Sequence, residues 1–148
     1  MLGRTASIAV VLLWHSISPA DAENLCDAVS NTNTKWPQIT KQVDAVLGRK
    51  SHKCGDAMGM DGTYSQYCYW AFEYRSEYAD IGFDLLGEKL SECRLGQSNL
   101  RDKSVNHPDT FTLEKFAFDT RDIVLSYKDK VTLGQSLIFV HLRQNPDN

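Results

Sequence analysis

Four cysteines, Cys26, Cys54, Cys68 and Cys93, lie behind an N-terminal stretch that reads as an export leader. Arg4 gives the leader a positive start, Ala6 to Trp14 is an uncharged apolar run, and Ala20 to Ala22 (ADA) has the small-x-small form of a cleavage site. The run falls short of the roughly 20 apolar residues that cross a bilayer. The expectation is a signal peptide over 1–22 and a periplasmic or secreted chain over 23–148. No cysteine directly follows the cleavage position, which argues against a lipid anchor. An even cysteine count in an oxidising compartment predicts two disulfides. Those two bonds constrain the fold more than any other feature of the sequence.

Spacing alone permits three pairings. Cys54 lies in a glycine-rich segment just ahead of the aromatic run that carries Cys68. A Cys54–Cys68 bond would close a loop of about 15 residues, contributing about 3 kcal/mol through the unfolded chain. Cys26 would then join Cys93, at about 4 kcal/mol for the longer loop. The pairing of Cys26 with Cys68 and of Cys54 with Cys93 stays open, because Cys68 also points toward the helical layer.

Residues 23–148 suffice for one domain with its own core. The formal charge of −3 is unchanged by loss of the leader, since Arg4 and Asp21 leave together. A weakly acidic chain lacks the basic footprint of a nucleic-acid binder, and no second apolar segment reaches membrane length.

Periodicity then divides the chain. Residues 23–30 are briefly helical. Thr34 is placed to cap a helix in which Trp36, Ile39, Val43, Val46 and Leu47 share one face, and Gly48 closes it. Residues 51–66 have three glycines and no period, and read as a long loop. Residues 64–75 form the clearest strand: Cys68, Trp70 and Phe72 point one way, and Tyr67 and Tyr69 the other. Ser76 caps a second long helix over about 77–95, whose stripe runs through Ala79, Phe83, Leu86, Leu90 and Cys93. Three strands follow. The first, DTFTLEKFAF, changes phase after Leu113, and a bulge near Glu114 and Lys115 is expected there. The last, with Leu137 to Val140 apolar in succession, reads as a central strand. The fold class is α+β: a two-layer domain in the order α-β-α-β-β-β, with an antiparallel four-stranded sheet, helices on one face and two disulfides.

The most chemically suggestive stretch is SVNHPDTF, residues 104–111. It places Asn106, His107 and Asp109 around Pro108. His107 oriented by Asp109 has the elements of a general base, or the stretch serves as a recognition loop. A turn explains the same residues, since Asp109 accepts backbone N–H bonds and Pro108 favours a bend. No nucleophile motif, glycine-rich phosphate cradle, carboxylate pair or metal-ligand spacing accompanies it. A three-histidine site from His52, His107 and His141 has no support in spacing. No metal and no cofactor are expected. Tyr67 and Tyr69, on the sheet face away from the helices, are candidate partner-binding residues together with Asn106, His107 and Asp109. The function expected is a periplasmic binding or inhibitor/immunity-type module with a protein partner, rather than an enzyme, and the open sheet face offers a homodimer as a further form of association. The alternative is a small hydrolase or ligand-binding domain built on His107 and Asp109.

Overall fold

A computed structural model describes residues 20–59, 62–93, 100–103 and 111–144, with 20–24 and 100–103 described by backbone alone. The helices are α1 (Ala20–Ser30), α2 (Trp36–Leu47) and α3 (Glu77–Glu92). The strands are β1 (Lys53–Met58), β2 (Tyr64–Glu73), β3 (Leu100–Lys103), β4 (Phe111–Ala117), β5 (Arg121–Lys130) and β6 (Gln135–Gln144). All six pair antiparallel in one sheet of spatial order β1-β2-β6-β5-β4-β3.

The helices form where apolar spacing and end signals agree. In α2, Trp36, Ile39 and Val43 fall on one buried face, and Pro37 sits in the first turn, where its missing N–H costs nothing. The Gln38 side chain accepts the Lys35 N–H at 2.9 Å, so the helix starts from Lys35, one residue beyond Thr34. Gly48 ends it in the left-handed region at φ 63°, with nothing near enough to crowd a side chain. In α3 the Ser76 hydroxyl accepts the Ala79 N–H at 3.2 Å, and Ala79, Phe83, Leu86 and Leu90 line the inner face. The helix ends at Cys93, a little short of the expected stop.

One sheet face packs on this layer. Gln66, Cys68, Trp70 and Phe72 of β2 align with Leu142, Val140, Ile138 and Ser136 of β6, which align in turn with Ile123, Leu125 and Tyr127 of β5. With Leu25 and Val29 of α1 the apolar members of these rows make one continuous core. At its centre Trp70 is fully buried and donates its indole N–H to Asp44 Oδ1 at 2.8 Å, and the Ser51 N–H shares that oxygen at 2.9 Å. A second polar anchor locks the turn before α3. Arg75, at φ 52°, donates its N–H to Ser136 Oγ at 2.7 Å, and that hydroxyl donates to Asp129 Oδ1 at 2.5 Å. Both disulfides are present: Cys26–Cys93 ties α1 to the end of α3, and Cys54–Cys68 joins directly opposed residues of β1 and β2.

The α+β class and the antiparallel sheet are as expected, but the strand count and element order are not. Among the described residues the sheet has six strands rather than four, and the order is α-α-β-β-α-β-β-β-β. β1 lies in the segment read as a long loop. Its residues, KCGDAM, include no β-branched or aromatic side chain, so its strand character comes from pairing with β2 and from the disulfide rather than from propensity. β3 is four residues long and likewise depends on its neighbour. β4 pairs with β5 one-to-one from Phe111 to Ala117, without the expected bulge. Its phase change arises because Phe111 and Leu113 lie on the outer face, whereas Glu114 and Phe116 lie on the inner one. Glu114 is a buried carboxylate facing Gly87 of α3, where a side chain would come within 2.9 Å of it.

Candidate functional site

The sheet face away from the helices carries three aligned rows across four strands. Tyr67, His141, Val124 and Lys115 form the first row; Tyr69, Phe139, Ser126 and Leu113 the second; Ala71, Leu137, Lys128 and Phe111 the third. Strand alternation places all twelve side chains on one surface. The smaller ones on the two central strands, Val124, Ser126 and Leu137, are buried between longer neighbours. The aromatic rings are half-buried.

The rings pack together. Tyr69 and Phe139 have centroids 5.2 Å apart, Tyr67 stacks on His141 at 5.5 Å, and Phe139 on His141 at 6.1 Å. His52 adds an edge ring 5.2 Å from Tyr69. The Tyr67 ring folds over Gly55 of the edge strand, where a Cβ would lie 3.1 Å from its hydroxyl. A glycine inside a strand commonly marks such a close approach.

One cation is embedded in this surface. Lys128 Nζ lies 4.9 Å from the Phe139 ring centroid and 5.3 Å from that of Phe111, within cation–π range. Among the described residues no carboxylate pairs with it, whereas the nearby Lys115 is held by Asp122 at 2.6 Å. Burial, and then the charge of Lys130, push the Lys128 ammonium below its ordinary pKa. His141 is pushed down to about 4, first by burial and then by Arg143 and Lys128. The imidazole is therefore neutral at physiological pH, and the centre of the face presents aromatic surface around the Lys128 ammonium, for which no carboxylate partner is found among the described residues, with Arg143 at the exposed margin.

Tyr67 and Tyr69 thus sit together on this face. Asn106, His107 and Asp109 lie outside the described residues, in the segment linking β3 to β4. His52 and His141 both approach the tyrosines of β2, and among the described residues no group of three potential metal ligands comes together. Ser136 is fully buried and serves the Arg75–Asp129 anchor, which leaves no access for a substrate. Lys128 and Phe111 were not singled out from sequence. Their signal was the outward phase of β4 and β5, which is legible only once the β4 register is known. The chain matches no family model and no curated protein. Among the described residues no helix is long and apolar enough to cross a membrane.

Proposed function

We propose that this chain is an exported binding module, of inhibitor or immunity type, that engages a protein partner through the aromatic sheet face. The observation that carries the reading is Lys128, set among Phe111, Phe139 and their neighbours without a described carboxylate. A partner that buries this face must supply an acidic side chain to the ammonium, or the desolvated charge opposes binding. The partner is therefore a protein with an apolar patch around a carboxylate. Aromatic side chains favour such a role because they bury large area at little entropic cost. The two disulfides fit an oxidising compartment, and the leader accounts for delivery there.

A second apolar surface competes for this role. Tyr78, Ile81 and Leu85 are exposed along the outer side of α3, but they alternate with the exposed carboxylates Glu77, Asp80, Asp84 and Glu88, which keep that side solvated. The test uses the protein purified after export as bait in periplasmic or culture extract, beside Tyr69→Ala, Lys128→Glu and Ile81→Ala. Capture of a partner that is lost with the first two variants and kept with the third supports the sheet face. Loss with Ile81→Ala alone moves the site to α3. Light scattering on the purified protein covers the remaining case: a dimer broken by Lys128→Glu makes the partner a second copy of this chain and overturns the heterologous reading.

A further inference from the structure

At one end of the core, the helical face of the sheet opens into a cleft of about 620 Å3. Its floor is the last inward row of the sheet: Arg121 of β5 opposite Gln144 of β6, next to Leu142 and its partner Gln66. Its wall is the α1–α2 connection and the first turn of α2. Arg121 is only 6% exposed. One guanidinium nitrogen donates to the Thr34 carbonyl at 3.2 Å and the other to that of Asn31 at 2.9 Å. These bonds fix the guanidinium in place and use two of its five N–H donors. Neither supplies a negative charge. Among the described residues Arg121 has no carboxylate partner, and burial holds its pKa below the ordinary arginine value with no acidic neighbour offsetting that shift.

A buried cation without a counter-charge is costly, and such charges normally pair or bind something. Three further observations point the same way. Lys35 also lines the cleft, and no described lining residue is acidic. The first turn of α2, whose positive end faces this region, contains no acidic side chain. Trp36, which lines the cleft and is 7% exposed, has an indole N–H with no hydrogen-bond partner among the described residues. The rest of the lining is largely hydroxyl and amide, from Thr32, Asn33, Gln66 and Gln144. Such groups exchange hydrogen bonds with a polyol.

We infer that this cleft binds a small polyhydroxylated organic anion, with Arg121 and Lys35 holding its anionic oxygens and the amides and hydroxyls its body. The anionic group is a carboxylate, as in a sugar acid, or a phosphate ester; both offer the paired oxygens that a guanidinium recognises. The site is separate from the aromatic sheet face, so either reading can fail without the other.

The test is a titration of the 15N-labelled protein, purified after export, with three probes: glucuronate, glucose 6-phosphate and glucose. Saturable shifts of the Trp36 indole resonance and of the backbone amides around residues 32–36 are expected with at least one of the two anions and not with glucose. Response to glucuronate alone assigns a carboxylate ligand, and response to glucose 6-phosphate alone a phosphate ester. Arg121→Gln should weaken binding tenfold or more, and Lys35→Ala, at an exposed position, several-fold. Should Arg121→Gln fail to fold because Asn31 and Thr34 lose their tie, Lys35→Ala and Arg121→Lys carry the decision. Shifts equal with glucose, no shifts with either anion at tens of millimolar, or shifts indifferent to the Arg121 and Lys35 variants overturn the inference.

Discussion

Replacing His141 with glutamine should flatten the acid side of the stability profile. In the folded chain the imidazole has a pKa of about 4, against 6.5 for an unperturbed group. Between those values the unfolded chain holds a proton that the folded chain does not. Stability from this residue is therefore complete above about pH 6.5 and is lost as pH falls toward 4. Fully developed, the shift corresponds to about 3 kcal/mol. Between pH 7 and pH 5 about 2 kcal/mol of this would be lost, and the screening kept by a partly exposed ring reduces the figure to about 1–2 kcal/mol. Carboxylates titrate in the same range, so the informative quantity is a difference. Urea unfolding of wild type and His141→Gln at both pH values should show wild type losing about 1–2 kcal/mol more than the variant, at equal m-values. Parallel losses, or an NMR titration placing the His141 ring protons near 6.5, would refute the burial of this ring in the aromatic face and weaken the surface proposed for partner binding.

Three other outcomes follow from the architecture. Replacing both Cys54 and Cys68 with alanine should cost about 3 kcal/mol, and replacing Cys26 and Cys93 about 4 kcal/mol; peptide mapping under non-reducing conditions should link the same pairs. Asp44→Ala leaves the indole N–H of the fully buried Trp70 without its acceptor and should lower unfolding free energy by about 2 kcal/mol, read by urea melts. Gly48→Ala forces a side chain into the left-handed region with no steric contact to compound the strain, so a loss of about 1 kcal/mol is expected in the same assay.

What could be read from sequence follows the strength of local signals. α2 was legible because its apolar spacing and the Gly48 stop agreed, although its start fell one residue beyond Thr34, and α3 because its apolar spacing and the Ser76 cap agreed. β2 was legible because aromatic residues alternate along it. β1 was not, because KCGDAM carries no strand-forming side chain and its conformation is imposed by the neighbouring strand and a covalent bond. β4 misled through Glu114: a carboxylate inside the core-facing phase breaks the expected alternation and mimics a bulge, and only the approach of Gly87 from α3 makes room for it. The same limit applied to the candidate surfaces. Tyr67 and Tyr69 announced themselves, whereas Lys128 is one of many lysines until Phe111 and Phe139 are aligned beside it. Arg121 looks like an ordinary charged residue at the start of a strand. Its burial depends on the α1–α2 connection, ninety residues earlier in the chain for Asn31, folding back over it.

The two disulfides are nested: the bond between Cys54 and Cys68 lies wholly inside the span closed by Cys26 and Cys93. A chain crossing a membrane from its N-terminus presents Cys26 first and Cys54 second, and those two are not partners. Oxidation in order of arrival would join α1 to the edge strand and hold β1 away from β2. The native connectivity instead requires that Cys26 stay reduced until all of α3 has been delivered, or that an early wrong bond be exchanged later. For a chain delivered N-terminus first into an oxidising compartment, the cross-links therefore depend on the order of oxidation, and a host lacking disulfide isomerase should accumulate Cys26–Cys54 species.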